Sequence, residues 1–116
     1  MLWDSVLNEF NLDLTLPLSD DDWSFLTTHA DRLRATYPPE SLTGLFDVAR
    51  KQWFTEGLEI SGDYVYAGGL DYDHDTPSEE YLATGMKIAE QQIAKAGYRL
   101  AAILIEVYPQ IQKFLQ

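Results

Sequence analysis

The chain has 116 residues, of which 46% are apolar, and its 8 Lys or Arg against 19 Asp or Glu give a formal net charge of −11. The excess of carboxylates repels phosphates and excludes a nucleic-acid-binding domain that works by counterion release, while the apolar content is too high for a disordered acidic tail. The absence of cysteine excludes disulfides, thiolate zinc sites and thiol catalysis.

The length predicts one domain over residues 1–116, with enough chain to bury a core. No run approaches the roughly 18 consecutive apolar residues of a membrane span. The N-terminus also lacks a basic stretch followed by an apolar one. We therefore predict neither a membrane segment nor a signal peptide. The sequence does not indicate the cellular compartment.

The first third of the chain predicts two helices and an extended connector. Apolar residues at positions 2, 3, 6, 7 and 10 indicate a short amphipathic helix, and residues 11–18 alternate apolar and polar side chains without a partner strand. Ser19 offers a capping hydroxyl before three aspartates, and Tyr37 precedes two prolines, so the second helix lies between them. Its predicted inner face consists of Trp23, Leu26, Ala30 and Leu33.

A third helix is predicted from residue 40 or 41 to Ile60, closed by Ser61 and Gly62. The side chains predicted to face inward are Leu42, Leu45, Phe46, Ala49, Trp53 and Phe54. Those predicted to face outward are Asp47, Arg50, Lys51 and Glu59. A long loop should follow, over residues 64–75.

The last helix carries the longest periodic pattern. Thr76 is its predicted cap, Pro77 fits the first helical position, and Glu79 can close a capping box. The predicted apolar seam consists of Leu82, Met86, Ala89, Ile93, Ala96, Leu100, Ile103 and Val107. Gly85 and Gly97 should permit close approach of a neighbouring helix, and Pro109 should kink or end the helix. The fold class is therefore all-α, a four-helix array with a long C-terminal helix.

Few residues suggest chemistry by themselves. Asp71, Asp73 and Asp75 alternate like the ligands of a calcium loop, but Thr76 stands where such a loop needs glycine. We interpret them as loop and capping acids. His29 and His74 are the two histidines and lie far apart in the sequence, so they predict no catalytic pair. No serine lies in a Gly-x-Ser-x-Gly elbow, which excludes a serine hydrolase of that type.

Several landmarks do resemble a known family in order and spacing. They are Trp3-Asp4-Ser5, Trp23, Tyr37-Pro38, Trp53-Phe54-Thr55-Glu56, Ser78-Glu79-Glu80-Tyr81 and Ala96-Gly97-Tyr98-Arg99-Leu100-Ala101. The chain resembles the C-terminal part of the zinc-dependent, single-strand-specific nucleases of the S1/P1 type, which share a fold with a zinc phospholipase C. The stretch from Glu80 to Leu104 looks like the last helix of that family. Trp53 and Glu56 look like its Trp-x-x-Glu-Ser segment, with Gly57 in place of the serine.

This resemblance implies a hydrolase of phosphodiester bonds in single-stranded nucleic acid, with zinc as the cofactor. In the family's His-x-x-Trp-Asp pattern the histidine and the aspartate share a zinc, and Asp4 matches that aspartate. The histidine would stand one residue before Met1, and the other ligands of the family lie upstream. We therefore expect Asp4 to be the one metal ligand here, and the chain to be an incomplete, inactive piece of the enzyme. Family members are typically exported.

The alternative is a non-enzymatic helical domain that pairs with itself or with another chain. Three tryptophans, seven tyrosines and five phenylalanines in so short a chain would leave apolar faces for an interface. We accordingly predict self-association through apolar faces, and no contact with a membrane.

Overall fold

The computed structural model describes residues 15–46, 50–67 and 76–114. These residues form three α-helices, α1 (Asp20–Thr36), α2 (Arg50–Ile60) and α3 (Glu79–Phe114), and no strand. A 3₁₀ turn, Pro39–Ser41, follows α1, and a π-helical turn, Ser61–Val65, extends α2. The all-α prediction is confirmed, whereas the described residues hold three α-helices instead of four. The amphipathic helix predicted near the N-terminus lies outside the described residues.

The start of α1 matches the sequence prediction. The Ser19 hydroxyl accepts the Asp22 backbone N–H at 3.2 Å, and the Asp22 carboxylate accepts the Ser19 backbone N–H at 2.9 Å, which closes a capping box. Tyr37 ends the helix before the two prolines, as predicted. The inner face is partly wrong, because Leu33 is buried while Ala30 is exposed and Trp23 is 58% exposed.

The predicted third helix is broken into pieces. Pro39 favours a 3₁₀ turn after α1, and Gly44 has a φ of 68°, a left-handed conformation that interrupts a helix. Within the described residues α2 is Arg50–Ile60, and the chain continues from it as the π-helical turn. Leu42 and Leu45 are buried as predicted.

The other side-chain predictions for this segment have mixed outcomes. Phe46 and Phe54 are exposed instead of inward-facing, at 57% and 78%. Trp53 is half-buried, and Glu59 is exposed as predicted. Asp47, Ala49 and the loop residues 68–75 lie outside the described residues, as do the side chains of Arg50 and Lys51.

The helix α3 differs from its prediction at both ends. Its cap is Ser78 and not Thr76, because the Ser78 hydroxyl accepts the Tyr81 backbone N–H at 3.1 Å and Glu79 is already helical. The helix passes through Pro109 to Phe114 instead of ending there. Proline removes one backbone donor, and Ile105, whose carbonyl loses that partner, is 75% exposed, so water can replace the missing bond.

The core lies where α1, the following turn and α3 meet. Its buried apolar members are Leu33, Tyr37, Leu42, Leu45 and Ala94, and Tyr98 packs against them. The predicted seam of α3 is wrong in its middle, since Ile93, Ala96 and Leu100 are exposed, while Glu90, Ala94 and Arg99 are buried. Gly97 is also exposed, with nothing within 4 Å of a Cβ placed there. No neighbouring helix among the described residues therefore makes the close approach predicted at Gly97.

The molecule is more extended than a compact domain of this length. Its radius of gyration is 17.2 Å, against about 13 Å for a compact chain of this size. No large side chain among the described residues is fully buried. None of the described helices is long and apolar enough to cross a membrane.

Candidate functional site

A cluster of charged side chains joins α2 to α3. Lys95 and Arg99 are four residues apart and therefore project from the same side of α3. Both donate to the Glu56 carboxylate of α2, with Arg99 Nη2 at 3.0 Å from Glu56 Oε2. The side chains of Lys95 and Arg99 are 12% and 7% exposed, so the cluster is largely shielded from water.

Arg99 has further partners that fix its guanidinium in place. Its Nε donates to the Leu45 carbonyl at 3.1 Å and its Nη2 to the Gly44 carbonyl at 3.0 Å. The guanidinium also lies over the Trp53 ring, 4.7 Å from the ring centroid, in a cation–π contact. One side chain thus holds together the turn after α1, α2 and α3.

The environment of Glu56 favours its charged form. Burial disfavours the carboxylate, but the hydrogen bonds and charges of Lys95 and Arg99 outweigh that cost, so the pKa of Glu56 lies below its usual value. Trp53 Nε1 is buried without a hydrogen-bond partner among the described residues.

A second polar cluster joins α1 to α3. The buried Glu90 carboxylate accepts Arg32 Nη1 at 2.5 Å and the Tyr37 hydroxyl at 2.9 Å. The Tyr98 hydroxyl donates to the Tyr37 carbonyl at 3.3 Å. Burial raises the pKa of the Tyr37 phenol, and its hydrogen bond to the Glu90 carboxylate raises it further. The two clusters are therefore paired charges that orient the three helices.

The described residues do not fit a zinc site. They contain no group of three His, Asp or Glu side chains that could hold a metal ion, and a catalytic zinc needs three protein ligands. Asp4, the predicted ligand, lies outside the described residues, as do His74 and the three aspartates near it. His29 is half-buried on α1, its ring centroid 4.1 Å from that of Phe25, in keeping with a structural histidine.

Sequence reasoning missed both clusters. Glu56 and Arg99 stood among the family landmarks, but nothing in the sequence pairs residues that are 43 positions apart. A signal was present in α3, where Glu90, Lys95 and Arg99 interrupt the apolar pattern at spacings of five and four. Charged residues at core positions predict buried partners.

Comparison with known proteins adds one finding. The sequence pattern of the family described as S1/P1 Nuclease matches residues 1–109. No curated protein and no solved structure matches the chain.

Proposed function

Because this chain belongs to the S1/P1 nuclease family, we propose that it is the helical framework of a zinc-dependent hydrolase that cleaves phosphodiester bonds in single-stranded nucleic acid. In this proposal Asp4 is a zinc ligand, and residues 1–116 form one domain that is inactive by itself. The family match, which includes Asp4, is the observation that carries the proposal.

The two charged clusters support the role of a framework. Trp53 and Glu56 come from one family landmark and Arg99 from another, and these residues contact each other directly. The residues that make the sequence resemble the family are thus used to hold α2 against α3. The described residues offer no set of metal ligands of their own. The proposal of zinc therefore rests on membership of the family and on Asp4 as a ligand.

The test is complementation. Residues 1–116 alone should not cleave single-stranded DNA or RNA in the presence of zinc. Mixed with the ligand-bearing upstream segment of a family nuclease, they should form a complex with zinc-dependent activity. Replacing Asp4→Asn should lower that activity about 100-fold or more, since even residues beyond the direct ligands cost 10- to 100-fold.

The matched control is Asp21→Asn, because Asp21 is an exposed carboxylate in the first turn of α1. This control should retain full activity. Complex formation without zinc-dependent cleavage, or unchanged activity after Asp4→Asn, would contradict the proposal. Cleavage by residues 1–116 alone would contradict the proposed inactivity.

A second candidate function is that of a non-enzymatic helical domain that pairs with itself or with another chain. The observation that favours it is the number of exposed large apolar side chains on α3, including Leu100, Leu104 and Ile105 at 57%, 55% and 75% exposure. Apolar surface of this kind marks protein–protein contacts.

A further inference from the structure

We draw no further inference here: the strongest candidate, the polar cavity of about 290 Å³ between α2, its π-helical turn and α3, rests on the exposed carboxylates of Glu59 and Asp63, and nothing else among the described residues points to a ligand there.

Discussion

At the scale of single residues, Arg99 shows why a cation can lie in the interior of a small helical protein. Its five N–H donors form a planar fork that suits carbonyls and carboxylates, and its flat face stacks on aromatic rings. Here it uses the Leu45 and Gly44 carbonyls, the Glu56 carboxylate and the Trp53 ring. The charge is thus compensated on every side, which is the condition for burial.

Glu56→Gln should lower the free energy of unfolding at pH 7 by about 1–3 kcal/mol, because Lys95 and Arg99 lose their shared carboxylate. The pKa of Glu56 is lower in the folded chain, so its contribution is complete above the unfolded pKa and is lost as pH falls through the folded pKa. Urea titrations at pH 7, 5 and 3 should show the gap between the two proteins closing in acid.

The control for this measurement is Glu59→Gln on the same helix, where the carboxylate is exposed. It should change the free energy of unfolding by less than about 0.5 kcal/mol at each pH. A gap for Glu56→Gln that stays constant from pH 7 to pH 3 would show that the carboxylate charge is not what stabilises the cluster.

At the scale of elements, local sequence predicts both ends of α1, whereas it predicts the limits of α2 and α3 only in part. The Ser19 hydroxyl caps α1 as predicted, and the return hydrogen bond from the Ser19 backbone N–H to the Asp22 carboxylate, which was not predicted, completes a capping box between residues three positions apart. Near the start of α3, two hydroxyl side chains two residues apart could serve as the N-cap. Ser78 does so, and Thr76 does not. The break between the 3₁₀ turn and α2 depends on Gly44, whose φ of 68° is costly for other residues.

Ser19→Ala should destabilise the protein by about 1 kcal/mol, because the first turn of α1 loses its side-chain acceptor. The hydrogen bond from the Ser19 hydroxyl is the main reason why the pKa of Asp22 lies below its usual value, followed by the Ser19 backbone N–H. That pKa should therefore rise toward its usual value in the variant, as measured by carboxyl NMR titration.

Ser24→Ala is the matched control on α1, since Ser24 is an exposed serine inside the helix. Its effect on stability should be within about 0.5 kcal/mol, and the pKa of Asp22 should not change. An unaltered Asp22 pKa in Ser19→Ala would mean that the capping box does not persist in solution.

At the scale of the whole molecule, the three helices enclose only a small core and leave much apolar surface outside it. Among the described residues the buried apolar cluster has five members, whereas α3 alone exposes Leu100, Leu104 and Ile105 to more than half of their full area. The Glu56 and Glu90 clusters and the contacts of Leu42 and Leu45 join the helices to each other. Exposed apolar surface of this kind is typical of protein–protein contacts.

Leu100 was predicted to face the core. Because it is exposed, we expect Leu100→Ala to lower the free energy of unfolding much less than a core substitution does. Leu45→Ala should cost about 2–5 kcal/mol at a position that is 3% exposed, and Leu100→Ala should cost less than about 1 kcal/mol at one that is 57% exposed. The denaturant melts should be carried out at several chain concentrations, so that any contribution from pairing of chains is recognised. Equal costs for the two variants would contradict the placement of α3.

The sequence by itself determined the features that depend on neighbouring residues. The all-α class, the limits of α1 and the existence of the long last helix follow from capping residues, prolines and periodicity, all of which act within a few positions. Family membership was also evident from the sequence, because its landmarks are read in order along the chain.

Only the tertiary structure decided which side of α3 is inside. Periodicity placed Ile93, Ala96 and Leu100 inward, but the helix turns Glu90, Ala94 and Arg99 to the core. The reason is that Glu90 and Arg99 have partners on α1, on α2 and in the turn after α1, at separations of 43 to 58 residues. A pattern of apolar residues carries no information about such distant charges, and burying Glu90 and Arg99 without these partners would be costly.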